Sequence, residues 1–139
     1  MSVSPKTDIH ANILARVGTV PANSSGAQTG TGIDRMGYSS CLLVVETGAA
    51  SGTPSPQTCD CKLQESSDDG SPDAYADISG AAITQITADN GRAHVSVNLA
   101  GCERYIRAIT TVSLTGGSSP KWPVAAEIIL GGADNLPAA

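Results

Sequence analysis

The residues that could do chemistry in this sequence are few, and its four cysteines come first. Cys59 and Cys61 flank Asp60, so both thiols share one face if the segment is a strand; Cys41 and Cys102 lie elsewhere. Structural zinc sites use cysteine pairs two to four residues apart at turns, rather than alternate strand positions. We therefore predict no metal and no cofactor, and reduced thiols that fill a core. Disulfides from this strand to Cys41 or Cys102 are the alternative.

Acidic residues and histidines are the other reactive groups. Oxygen-rich loops can bind calcium, but the acidic spacing here does not match the EF-hand pattern, and Asp is also an ordinary turn residue. The only histidines are His10 and His94, and no Gly-x-Ser-x-Gly motif accompanies them. We predict that the protein is not an enzyme. The acidic residues in question are Asp68, Asp69, Asp73 and Asp77.

The composition indicates what must position these groups. Of the 139 residues, 40% are hydrophobic but only 3% aromatic, with no Phe, and 15 Gly and 8 Pro interrupt them. Branched apolar residues with frequent Gly and Pro favour strands and turns over helices. The net charge of −5 is unlike the basic face of a nucleic-acid binder. No apolar run has the length of a signal peptide or a membrane span, so we predict synthesis in the cytoplasm of the producing cell.

Alternating apolar positions predict about eight strands. The clearest is 58–66, where Cys59, Cys61 and Leu63 share one face. The continuous apolar run in 39–46 predicts a central strand buried on both faces. Asp89-Asn90-Gly91 predicts a tight turn, and 20–31 predicts a loop. The predicted strands are 12–17, 39–46, 58–66, 74–78, 83–87, 92–99, 105–112 and 122–130, with a short edge strand near 33–36.

Strands at this spacing, without helices between them, indicate an all-β antiparallel two-sheet sandwich. We divide the chain into an extended N-terminal arm, 1–10, and a single β-sandwich domain, 11–139. Residue types that are enriched at interfaces then identify candidate contacts, although Tyr105 and Trp122 could instead cap the core. The candidates for contact with another protein or with further copies of this chain are Ile9, His10, Arg35, Tyr38, Arg104, Tyr105, Arg107 and Trp122.

Several segments together resemble a known family. Residues 95–109 contain Gly101-Cys-Glu-Arg-Tyr-Ile-Arg107, residues 124–133 end in Leu130-Gly-Gly-Ala, and Leu136-Pro137 follows. With the strand and turn at 63–70, they resemble the capsid decoration, or cement, proteins of tailed bacteriophages over residues 39–137.

The resemblance implies a jelly-roll-like β-sandwich on the surface of an icosahedral head. It implies a homotrimer that binds the major capsid protein and clamps neighbouring subunits, with no active site, no nucleic acid and no membrane as partners. Two alternatives stay open: a head–tail connector or tail component, and a carbohydrate-binding adhesion module. The second would need exposed aromatic side chains, of which the sequence has few.

Overall fold

The protein folds as an all-β sandwich of two antiparallel sheets, as predicted. A computed structural model describes residues 8–138, and this part of the chain forms nine strands and no helix. They are β1 (Leu14–Ser24), β2 (Ala27–Thr29), β3 (Ile33–Asp34), β4 (Tyr38–Thr47), β5 (Gln57–Ser66), β6 (Ala76–Ala82), β7 (Arg92–Asn98), β8 (Tyr105–Leu114) and β9 (Trp122–Ala133).

The strand order is that of a jelly roll. Sheet I has the order β1-β9-β4-β7; sheet II has the order β2-β8-β5-β6, with β3 also paired to β8. The first strand therefore lies beside the last, and the second beside the next to last, as in a long hairpin rolled up on itself. Every second residue of each strand points between the two sheets and forms the core, where Leu43, Leu63, Ile106 and Ile128 are completely buried.

The first strand is longer than predicted, and the predicted loop 20–31 was wrong. β1 continues to Ser24 beside β9, and Ala27–Thr29 forms β2 beside β8. Two register shifts interrupt β1, which removes the strict alternation by which the sequence would have shown it. Glycine at position 30 allows β1 to approach sheet II closely, because a Cβ there would overlap the carbonyl oxygen of Gly18.

The predicted strand 83–87 was also wrong. This segment makes a single isolated bridge, in which Ile86 and Cys59 exchange backbone hydrogen bonds of 2.8 and 3.0 Å. Ile83 and Ile86 are nevertheless buried, so the segment covers the edge of the core without continuing a sheet. The strand predicted at 74–78 is β6, which extends further, to Ala82.

Strand β4 is central in sheet I, as predicted, but only one of its faces is buried. Cys41, Leu43 and Val45 lie in the core, whereas Leu42 and Val44 are half-buried on the opposite face. Within residues 8–138, sheet II covers only the inner face of sheet I. The apolar run in this strand therefore reflects two different environments, of which only one is supplied by the fold.

The predicted arm is described only at its end. Residues 8–12 form a turn in which the Asp8 carboxylate accepts the backbone N–H of Ala11 at 3.1 Å. Asn12 also donates from its side chain to the Asp8 carbonyl oxygen at 2.7 Å. This differs from the extended backbone predicted for 8–10, and residues 1–7 lie outside the described part of the chain.

Candidate interaction surfaces

Six of the predicted contact residues lie at one end of the sandwich, where β4 and β8 begin and β9 ends. Arg35 links the two sheets there. Its guanidinium donates to the carbonyl oxygens of Glu103, at 2.9 Å, and Cys102, ahead of β8, and to that of Tyr38, in β4, at 3.4 Å. The N–H groups of Arg35 therefore hold together the backbone segments at the starts of β4 and β8.

Arg104 and Tyr105 form a second internal network beside it. Arg104 binds the Asp34 carboxylate through two nitrogens, at 2.7 and 3.1 Å, and lies 5.3 Å from the centre of the Tyr105 ring. The hydrogen bond from Arg104 is the main reason that the pKa of Asp34 lies below its usual value, against an opposing effect of partial burial. Both charged side chains remain more than one-third exposed, so the pair stays open to solvent.

Arg107 anchors the loop that follows β5. It donates to the Gln64 side-chain oxygen at 2.9 and 3.0 Å, and the Tyr75 ring stacks over its guanidinium at 4.1 Å. The Tyr75 hydroxyl donates to Asp69 at 2.6 Å. Burial, with that bond, raises the Tyr75 pKa. A Cβ at Gly32 would overlap the same hydroxyl and carboxylate, so glycine is required for this close packing.

Trp122 lies in the core. Its side chain is completely buried at the start of β9, and its Nε1 donates to the Gly48 carbonyl oxygen at 2.8 Å. A buried indole with a satisfied N–H has no surface with which to contact another protein. Of the two roles predicted for Trp122, the structure supports the core role.

Ile9, His10 and Tyr38 lie at the same end as Arg35, near the C-terminal segment. Ala138 donates its N–H to the Ala11 carbonyl oxygen at 2.7 Å, which brings the two terminal segments together. Ile9 and Met36 are each 61% exposed and Leu136 is 49% exposed. Met36, Tyr38 and Pro137 line one shallow pocket. We call these residues, together with the exposed Ile9 and Leu136 of the adjoining terminal segments, the terminal surface. The sequence did not identify Met36 and Leu136 as surface residues, because an isolated apolar residue at a turn belongs to no strand or helix periodicity.

The second apolar surface was missed as a surface altogether. The outer face of sheet I, on the side away from the core, carries Val17 from β1, Leu42 and Val44 from β4, and Ala125 and Ile129 from β9. Val17 is 59% exposed, and Val17, Val44 and Ala125 line a shallow groove together with Glu46 and Glu127. Glu127 is the cross-strand neighbour of both Val17 and Val44, so an exposed carboxylate lies between these two valines. The continuous apolar run in β4 was the available signal.

The reactive groups form no catalytic arrangement in the part of the chain that the structure describes. Burial raises the pKa of the Cys41 and Cys59 thiols to about 11 and that of Cys61 to about 12, which keeps them protonated and unreactive at neutral pH. All four thiols are free, and no three metal-binding side chains among residues 8–138 cluster. His94 lies on the surface, with its Nδ1 3.3 Å from Arg92.

The acidic loop is occupied with its own hydrogen bonds. Asp73 accepts from the Ser67 backbone N–H at 2.8 Å and from its hydroxyl at 2.9 Å, which lowers the Asp73 pKa. Asp68 in turn accepts the backbone N–H of Asp73 at 3.1 Å. Between residues 8 and 138 there is also no helix with the length and apolar character to cross a bilayer.

Comparisons with known proteins support the fold. No family model and no curated protein matches this sequence. The crystal structure of the SPBc2 prophage-derived protein YomS aligns with a TM-score of 0.51 and 14% identity, over 86% of this chain and 92% of that one. A structure of infectious bursal disease virus, Gx strain, aligns with a TM-score of 0.48 and 11% identity, over 91% of this chain but 34% of that one. At such identities the likeness to YomS concerns the fold alone.

Proposed function

We propose that this chain is a virion structural protein, located on the capsid surface, that binds the exterior of an icosahedral phage head. It stabilises the head by bridging subunits of the major capsid protein, and it performs no catalysis. The observation that carries this proposal is the presence of two separate apolar surfaces, the terminal surface and the outer face of sheet I. Exposed apolar patches of this kind mark sites of protein binding, and a bridge needs two of them.

Two further points support the proposal. The sequence resembles capsid decoration proteins over residues 39–137, and a protein of similar size and fold, YomS, is named as prophage-derived. The arginine and tyrosine networks fix the loops at one end of the sandwich, so the terminal surface is presented on a rigid base. Contacts that are already ordered before binding cost less conformational entropy when they form.

Bridging of this kind stabilises a shell by mass action. A protein that binds only the assembled shell stabilises it by about 4 kcal/mol when its concentration is a thousand times its Kd. Each surface can then be weak by itself, because contacts repeated across a symmetric shell act together. Modest apolar patches such as those seen here are sufficient for that purpose.

The test is binding to heads of the encoding phage assembled without this protein. We expect the wild-type chain to sediment with the heads and to raise the temperature at which they release DNA. Met36→Asp, on the terminal surface, and Val17→Asp, on the outer face of sheet I, should each weaken binding at least tenfold (about 1.4 kcal/mol). Thr111→Asp is the matched control, because Thr111 is exposed on β8 of sheet II. Equal binding by all three variants would contradict the proposal.

Copy number separates the main alternative. A decoration protein is present in hundreds of copies per particle, whereas a head–tail connector or tail component is present in about a dozen. Quantitative gel analysis of purified particles gives this number directly. The carbohydrate-binding alternative has little support, because the largest potential stacking ring, Trp122, is buried. A second copy of the chain is a further partner that we propose; the homotrimer implied by the resemblance stays a prediction.

A further inference from the structure

We infer that two copies of this chain join edge to edge through β7, so that their two copies of sheet I become one continuous antiparallel sheet. The inference does not depend on the capsid role. Strand β7 is the last strand in the order β1-β9-β4-β7, and within residues 8–138 no strand pairs with its other edge. An edge strand presents unpaired backbone N–H and C=O groups, which can pair with another chain.

The other long edges of the sandwich are protected, and β7 is not. β1 contains Pro21 and two register shifts, and β6 contains Gly80 at positive φ beside an irregular pairing with β5. Bulges and prolines are features that prevent sheet edges from associating. By contrast, β7 pairs with β4 through seven consecutive residues without a shift, and it has neither Pro nor Gly.

The hydrogen bonds at both ends of β7 show which of its backbone groups face outward. Leu99 donates to the Ser39 carbonyl oxygen at 2.8 Å, and Thr47 donates to that of Gly91 at 2.9 Å. Hydrogen-bonded pairs alternate along an antiparallel ladder, so the odd-numbered residues of β7 bond to β4. The even-numbered residues therefore direct their N–H and C=O groups away from the sheet. The Asn98 carbonyl oxygen points this way and already accepts from the Cys102 thiol at 3.7 Å, so an incoming N–H would use the second lone pair of this oxygen.

One register satisfies all four outward-facing residues. A two-fold axis at Val95 places Arg92 opposite Asn98 of the second copy, and His94 opposite Ser96 of the second copy. Both are pairs of even-numbered residues, and the symmetry repeats each of them, so every outward N–H and C=O finds a partner. An axis at His94 or at Ser96 would leave one end of the strand unpaired. The backbone of β7 is thus complementary to itself in one arrangement.

The side chains also suit this arrangement. The pairing puts Arg92 opposite a neutral Asn98, so no like charges face one another across the two strands. The chain carries a net charge of −5, but β7 itself has no acidic residue. Half-buried Val95 gains its own symmetry mate as a neighbour. Leu42 and Val44 of both copies then lie on the same side of one wide sheet, which enlarges the apolar outer face. These features favour a second copy as the occupant of this edge over an unrelated peptide.

Cysteine cross-linking tests the register. Val95 faces itself in a pair without hydrogen bonds, where Cα atoms lie about 4.5 Å apart, within the range that a disulfide spans. We expect Val95→Cys to form a linked dimer on mild oxidation. Ala93→Cys is the matched control, because its symmetry mate lies four residues away, roughly 13 Å along the strand. A failure of Val95→Cys to link, or equal linking by Ala93→Cys and by the wild type, would overturn the inference.

The mass in solution tests the contact itself. Light scattering on the purified chain should give twice the mass of one 14.0 kDa chain. Ser96→Pro removes an outward donor only, and His94→Lys with Ser96→Lys places lysines opposite one another. Each change should raise the dimer dissociation constant at least about tenfold. Thr111→Lys with Ser113→Lys, both exposed on β8, is the control that should remain dimeric. A wild-type mass of one or three chains would contradict the inference.

Discussion

The outer faces of the two sheets differ in how their side chains are satisfied. On sheet II, Lys62 binds Asp77 at 2.7 Å, Gln64 binds the same carboxylate at 2.8 Å, and Arg107 binds Gln64. On sheet I, the outer face has Val44, Ala125 and other apolar residues around the carboxylates of Glu46 and Glu127, and no layer of residues 8–138 covers them. The polar face is complete by itself, whereas the apolar face gains free energy only when something covers it.

This difference separates the contact residues predicted from residue type from the surface that the structure leaves apolar. Arginine and tyrosine are enriched at interfaces, but here Arg35, Arg104 and Arg107 donate hydrogen bonds within the protein itself. The small aliphatic residues on sheet I are not individually typical of interfaces. Together they form the larger surface whose desolvation can stabilise a complex.

The largest effect should come from comparing neighbours on the two faces of β4. Leu43→Ala empties a completely buried position and should destabilise the fold by about 2–5 kcal/mol. Leu42→Ala removes the same atoms from a half-buried position on the outer face, and should cost about 1 kcal/mol or less. Urea denaturation measures both. Equal losses would mean that the outer face is buried as deeply as the core.

The next effect concerns binding. Val44→Lys places a charge at the centre of the groove on sheet I and should weaken head binding about tenfold or more, with little change in stability. The matched substitution on sheet II is Thr111→Lys, which should bind as the wild type does. Co-sedimentation with heads measures the difference. If Thr111→Lys were the more harmful change, the contact surface would lie on sheet II.

A smaller effect should follow from breaking the polar network. Arg107→Ala removes both hydrogen bonds to Gln64 and the stacking partner of Tyr75, and should destabilise the fold by about 1–2 kcal/mol without reducing head binding. Arg107→Lys retains the charge but not the paired donors, so it should be intermediate. A large loss of binding by either variant at unchanged stability would give Arg107 a direct contact role.

The smallest effect is a dependence on pH. Because the pKa of Asp34 is lower in the folded protein than its usual value of 3.8, its contribution to stability is present above about pH 4 and is lost as the pH falls through the lowered folded value. Since the pair with Arg104 is well exposed, Asp34→Asn should lower Tm by only about 1–2 °C at neutral pH. The two proteins should converge at low pH. A difference that grew on acidification would contradict the assigned pKa direction.

Much of the fold could be predicted from the sequence. Strict alternation identified β5, β7, β8 and β9 with their inward residues, such as Leu63 and Ile128. Alternation did not predict two segments whose structure depends on tertiary contacts. β1 pairs with β9 through two register shifts, and residues 83–87 are buried against the core without forming a strand. Alternation reports which side of a strand is apolar, and bulges erase that information.

The candidate surfaces were harder to predict for a related reason. The apolar run in β4 predicted burial of both faces, but the fold buries only one, because a sequence does not show whether the second face is covered by the same chain. Likewise, Trp122 could equally have been an exposed anchor or a core residue, and only the carbonyl oxygen of Gly48, distant in sequence, decides between them. Contacts between distant segments leave no local signal.

The position of Trp122 has a practical consequence. It is the only tryptophan in the chain, and it lies where β9 begins, at the opposite end from the terminal surface. Its fluorescence should therefore be emitted at short wavelength in the native protein and shift to the red when the core opens to water. The indole is a built-in optical reporter of unfolding that capsid attachment through the other end should leave unchanged.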